Sequence, residues 1–299
     1  AAVTGMTVST VGVIGHVALN AVLIYGWFGL PALGIFGAAI STAISRAIEL
    51  VWSVLVASRN GRPRLRLSMM LHPDVALQKD FWKYSLPVLG NELVWGCGFT
   101  MYTVIMGHLG TDAVAANSIA NIVKDLLVCL SLGLGNAGGI LVGNLLGRNA
   151  FDQAKVMGDR LCVLVAAVGV GTGLLIIAAR PLALQWAGLT PQATRYLSVM
   201  LFICAYYAAC MANLTIAGIF PAGGDSRFGL VCDASVMWLV VVPVGLLAAF
   251  VWKLPVLAVY ALLNTDECIK MIPALLHYRK YRWVNNVTRQ TDSAVVSNA

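Results

Sequence analysis

The stretch "SLPVLGNELVWGCGF", residues 85–99, decides how the chain must be read. Apart from Asn91 and Glu92 it is material for a lipid bilayer, yet a carboxylate sits at its centre. An acid at the middle of a membrane helix costs about 2.5–3.5 kcal/mol on insertion scales, so Glu92 is a functional candidate by default. The surroundings support the membrane reading. Hydrophobic residues make up 59% of the 299 and charged residues 11%, with a mean hydropathy of +0.82. A soluble domain carries about a quarter charged residues. Helices are the expected element, because a hydrocarbon core about 30 Å thick is crossed by about 20 apolar residues. The apolar runs do not alternate as barrel strands would. The net charge of +7 therefore speaks to topology, and no nucleic-acid partner is expected.

Eight spanning segments are expected, at about 6–26, 32–57, 82–107, 115–145, 160–180, 195–220, 228–251 and 255–277. Short connections carry the breakers: "GWFGLP" at 26–31, "HLGTDA" at 108–113, "PAGGDS" at 221–226 and "KLP" at 253–255. With the first helix running outward, fourteen basic residues lie inside. They include Arg62, Arg64 and Arg66 of a long link and Arg279, Lys280 and Arg282 of the tail. Only Arg180, Arg195 and Lys253 lie outside, so the positive-inside rule puts the C-terminus in the cytoplasm of a multi-pass cell (inner) membrane protein. The seven cysteines all fall in apolar runs without CxxC or Cys/His spacing, which reads as small buried thiols rather than a metal site or disulfide framework. The opening "AAVTGMTVST" has no initiator Met or basic n-region and reads as the middle of a longer protein.

An internal repeat carries the architecture. "LPALGIF" at 30–36 matches "LPVLAVY" at 254–260, an offset of 224 residues, and Arg46 falls on Lys270 at the same offset. Two such units would run to about 450 residues, leaving about 150, or about four helices, ahead of this chain. The expected fold class is all-α integral membrane: eight transmembrane helices of an expected twelve, in two pseudo-symmetric six-helix lobes. Residues 1–57 would be the last two helices of the N-terminal lobe and 58–79 a basic cytoplasmic link. Residues 80–278 would be the six-helix C-terminal lobe and 279–299 a cytoplasmic tail.

The segments "NAVLIYGWFGLPALGIFGAAISTAISR", "MGHLGTDAVAANSIA", "LVGNLLGRNAFDQAK", "AGIFPAGGDS" and "ECIKMIPALLHYRKYRWVNNVT" resemble the MATE (multidrug and toxic compound extrusion) transporters. They occur in family order over nearly the whole chain, beginning at the family's fifth helix. The resemblance implies two six-helix lobes and cation (H⁺ or Na⁺):drug antiport by lobe rocking. It also implies small organic, cationic substrates, contact with membrane lipid, no cofactor, and a monomer when full length. Many members carry an essential Glu eight residues after the Pro of this helix. Here Glu92 follows Pro87 by five and Trp95 holds the eighth position, so the carry-over is approximate. The acid that some members place on the tenth family helix has no counterpart in 195–220.

The intramembrane charges sort by their local partners, since residues three or four apart share a helix face. Arg46 with Glu49, and Asp266 and Glu267 with Lys270, read as structural ion pairs. Glu92 has no base on its own face, and Lys124, with Asp125 beside it but pointing about 100° away, has no acid on its own. The two lie on antiparallel neighbours offset by about 7.5 Å of rise, a gap that side chains can span. A carboxylate poised between desolvation and a nearby base can exchange a proton for a cationic substrate. Glu92, Asn91, Lys124 and Asp125 are thus the coupling-ion or substrate candidates. Trp95, Tyr102, Tyr206 and Asn213 are candidate cavity lining, with the aromatics available for cation–π attraction. No HExxH, GxGD or Ser/His constellation supports an enzyme. The alternatives are a lipid or glycolipid flippase of the same superfamily and an inactive fragment.

Overall fold

The computed structural model describes residues 2–29, 31–59, 75–210 and 218–287, and every regular element among them is helical. The chain forms two compact units, Ala1–Leu77 and Gln78–Ala299. The basic link falls mostly on residues 60–74, outside the described residues.

In the first unit, α1 (Ala2–Tyr25) and α2 (Gly34–Arg59) form a hairpin whose turn needs left-handed backbone at Gly26 (φ 71°) and Gly29 (φ 82°). Gly37 sits where a Cβ would lie 2.6 Å from the Leu23 carbonyl oxygen, so only glycine lets the two backbones meet there. A polar seam ties the pair in place of a hydrophobic effect that lipid does not supply. His16 Nε2 lies 3.1 Å from Thr42 Oγ1 and 3.2 Å from Asn20 Nδ2, and the Ser41 hydroxyl donates to Asn20 Oδ1. Arg46 and Glu49 pair at 2.7 Å, as their spacing predicts, and Ser9 donates to the same carboxylate.

The second unit contains α3 (Val75–His108, from Gln78 onward), α4 (Thr111–Gly147), α5 (Phe151–Trp186) and α6 (Pro191–Cys210). Beyond 211–217, outside the described residues, 218–222 is helical. Next come α7 (Ser226–Val251), α8 (Val256–Leu263) and α9 (Asp266–Arg279). Helices α4, α5 and α6 pack on one another. The α5–α6 crossing is set by Gly169 and Gly173: a Cβ would meet the Ala208 carbonyl oxygen at 2.9 Å and the Ala205 carbonyl oxygen at 2.7 Å. One core collects Ile105, Met106, Leu197, Met200, Leu201 and Leu263, and another Val142, Leu146, Ile219, Phe220, Tyr278 and Trp283. The tail is thus anchored: Trp283 is fully buried, stacks on Tyr278 and donates from Nε1 to the Tyr278 carbonyl.

Among the described residues, six helices are long and apolar enough to cross a membrane: within α1 and α2, then α4, α5, α6 and α7. Helix α3, with Lys83, Asn91 and Glu92 in its apolar run, is not among them. The final expected span, 255–277, is two helices. Asn264 Nδ2 donates to the Tyr260 carbonyl and Thr265 Oγ1 to the Leu262 carbonyl. These side chains compete with the backbone ladder and stop α8, so α9 starts afresh at Asp266. Helix α7 is also irregular, with π-helical turns at Ser235–Val241 and Leu247–Val251 on either side of Pro243. Proline has no N–H to give and its ring crowds the preceding turn, which widens the ladder.

Candidate functional site

Positions 92, 95, 99 and 102 of α3 follow the three-and-four spacing of one helix face. Glu92 heads this stripe: it is exposed and has neither hydrogen bond nor ion pair among the described residues. Beside it, the side-chain oxygen of Asn91 is buried without a hydrogen-bond partner. Trp95 and Phe99 meet edge-on at 4.4 Å between ring centroids, and Phe99 and Tyr102 follow at 5.4 Å. The stripe ends at Lys124 on α4, whose ammonium lies 5.8 Å from the Phe99 ring centre and 5.0 Å from that of Tyr207 on α6. Lys124 is 5% exposed, so the two rings supply the negative potential that water would otherwise give.

Among the described residues, Lys124 pairs with Asp125, at 4.0 Å and mostly exposed, and not with Glu92. A side chain long enough to turn back along its own helix finds the neighbouring carboxylate despite the 100° between their Cβ directions. Of the residues expected to line a cavity, Tyr102 does. Trp95 and Tyr206 (59% exposed) lie outside it, and Asn213 lies outside the described residues. That cavity, about 40 Å³, is bounded by Phe99, Tyr102, Asn117, Asn121, Lys124 and Asn264 among others. Its volume holds about two waters. Asn117, Asn121 and Lys124 are spaced i, i+4, i+7, a pattern visible in the sequence that marks one polar face of α4.

A second charged group lies at the start of α9. Lys270 Nζ is 2.5 Å from Glu267 Oε1 and 3.7 Å from Asp266 Oδ2, the pairs expected from spacing. It is also 3.1 Å from Oδ1 of Asp233 on α7, a partner the sequence reading missed. Asp266, Glu267 and Lys270 are 1–3% exposed. No one-helix pattern could reveal Asp233, since its contribution depends on how α7 and α9 pack. Both acids of α9 sit in its first turn, where the helix dipole favours negative charge.

A family model for MatE matches residues 87–277, more than half of the chain. The chain belongs to the MatE family. Among curated relatives of this MatE chain, the probable multidrug resistance protein NorM of Neisseria meningitidis serogroup B is 29% identical over 220 residues. That match covers 71% of this chain and 48% of the relative. The multidrug resistance protein MdtK of Photorhabdus laumondii is 26% identical over 255 residues, covering 81% and 53%. The chain spans about half the length of the curated relatives it matches. Among solved structures, the eukaryotic MATE transporter AtDTX14 aligns with a TM-score of 0.79 at 18% identity, over 93% of this chain and 62% of that one. The Vibrio cholerae MATE transporter VcmN, in its bent form, aligns at 0.73 and 18%, over 92% and 61%. These similarities establish the fold of this MatE chain as a multi-pass helical membrane protein.

Proposed function

We propose that this MatE chain acts in multidrug efflux, expelling small organic cations from the cell in exchange for an inward-moving cation. The observation that carries the reading is the α3 stripe, in which an unpaired carboxylate leads through three aromatic rings to a polar cavity. A lipid-facing Glu92 would cost about 2.5–3.5 kcal/mol, so an acid kept there faces water or substrate. A carboxylate followed by aromatic faces is the chemistry that attracts a flat organic cation. Lys124 closes the inner end of the stripe and repels the same cation, so substrate occupies the Glu92–Trp95 end.

The test is ethidium efflux from energised cells expressing the chain from its own open reading frame, at matched membrane abundance, with Glu92→Gln and Trp95→Ala beside the parent. Efflux by the parent, abolished by Glu92→Gln and weakened by Trp95→Ala, is the expected result. Efflux that survives Glu92→Gln removes the stripe from the mechanism. No efflux of several organic cations by the parent removes the transport assignment.

A further inference from the structure

The charge balance around Lys270 does not close. Three carboxylates, Asp233, Asp266 and Glu267, face one ammonium in a region where water cannot make up the difference. Glu267 and Asp233 hold Lys270 at 2.5 and 3.1 Å, and Asp233 is also partly exposed. Asp266 is left furthest from the ammonium and is the most buried, at 1% exposed. Among the described residues neither of its oxygens meets hydrogen-bond geometry with a partner, although the backbone amide of Glu267 is close enough to act on the carboxylate. Buried polar atoms in native proteins are nearly all partnered, so two orphaned carboxylate oxygens point to something that joins them.

The surroundings say what that is. Among the described residues, no group of three or more His, Cys, Asp or Glu is placed to hold a metal ion, the three acids here being gathered on an ammonium instead. A proton needs only one oxygen. The Tyr102 hydroxyl is likewise buried without a hydrogen-bond partner, and Tyr102 is close enough to feel the charges of Asp266, Glu267 and Lys270. The same Tyr102 forms part of the wall of the Lys124 cavity, so a residue that feels the Asp266 charge also borders a space wide enough for water.

We propose that Asp266 is a proton-binding carboxyl of the second unit, loaded and unloaded through the cavity bounded by Tyr102 and Lys124. This deepens the antiport reading and rests on it, with the proton as the exchanged cation. The charged and titratable groups that act on or with Asp266 are Glu267 and Lys270 of α9, Lys124 of α4, Tyr102 of α3 and Tyr207 of α6, and Asp233 of α7 shares the Lys270 ammonium with it. Protonation transfers one H⁺ from water to an Oδ of Asp266 and turns an orphaned acceptor into a donor. The group then carries two carboxylates against Lys270, with the Lys124 ammonium close enough to contribute. Release returns the proton to water and restores the excess negative charge. In this scheme Glu92 meets the organic cation while Asp266 holds the proton, so the two cargoes occupy different helices.

Infrared difference spectroscopy between high and low pH, on the purified chain in lipid nanodiscs, reads the carbonyl stretch of a buried protonated carboxyl directly. The band is expected in the parent and in Glu92→Gln, absent in Asp266→Asn and displaced in Asp266→Glu. Should Asp266→Asn not fold, displacement in Asp266→Glu decides the matter. A band unchanged by both Asp266 variants overturns the proposal. So does a band removed as completely by sodium at fixed pH as by raising the pH, which would make the occupant a metal cation. The readout needs no drug. A parent that moves no ethidium but keeps the band leaves the proton site standing and removes only the transport reading.

Discussion

Replacing Lys270 with Met tests whether the start of α9 is held by charge or merely by packing. The parent ammonium reaches Glu267 at 2.5 Å, Asp233 at 3.1 Å and Asp266 at 3.7 Å. Met fills nearly the same volume, so the loss is almost purely electrostatic and leaves three acids without a base. Removing one partner of a buried ion pair costs about 3–5 kcal/mol. A domain of this size loses about 2–4 °C of melting temperature per kcal/mol, so the expected drop is roughly 6–20 °C. Thermal unfolding in mild detergent, followed by a dye that reports the emergence of buried thiols such as Cys204, measures it. The triple variant Lys270→Met/Glu267→Gln/Asp266→Asn removes charges of both signs and should recover most of the loss, because neutralised buried pairs are often no less stable than the originals. A single Lys270→Met variant that melts with the parent would refute the reasoning. So would a triple variant no better than the single.

Gly173→Leu places a Cβ 2.7 Å from the Ala205 carbonyl oxygen and should cost about 1–3 kcal/mol by prising α5 from α6. Gly171→Ala, two residues away and with no atom within 4 Å, should instead raise stability by about 0.5–1 kcal/mol, and both can be read from one set of melting curves. Trp283→Ala empties a fully buried site and should cost about 3–5 kcal/mol, exposing the tail to added protease at lower temperature. Lys124→Met should leave the melt within about 1 kcal/mol of the parent, since it trades a buried charge for an apolar side chain of similar size. Its effect should appear in ethidium efflux, where loss of the repelling charge lets substrate bind deeper and leave more slowly.

The membrane class was legible because lipid imposes a simple compositional rule, and the pairs Arg46–Glu49 and Glu267–Lys270 because they lie on single helices. The site was legible only in pieces. Glu92 stands out in any apolar run, but its separation from Lys124 depends on how α3 lies on α4, which no spacing rule encodes. Asp233 was invisible for the same reason, since it joins Lys270 across a helix boundary. The division of 255–277 had a local signal in Asn264 and Thr265, whose side chains bond back to their own helix. Their weight was hidden by the hydropathy of the residues around them.

The π-helical turns of α7 have a consequence for genetics as well as geometry. Each wider turn holds more backbone than the α-helical ladder on either side, so the helix behaves like a screw with a skipped thread. Residues before Ser235 and after Val251 no longer fall on the faces that a uniform count assigns. A substitution scan along α7 should show tolerance rising and falling with helical rhythm up to Asp233, a break in phase around Pro243, and the rhythm restored with an offset beyond it. Deleting one residue within Ser235–Val241 would let the thread close into ordinary α-helix. Such a deletion would leave α7 continuous while rotating Asp233 relative to everything downstream, a change of partner written without touching Asp233 or Lys270.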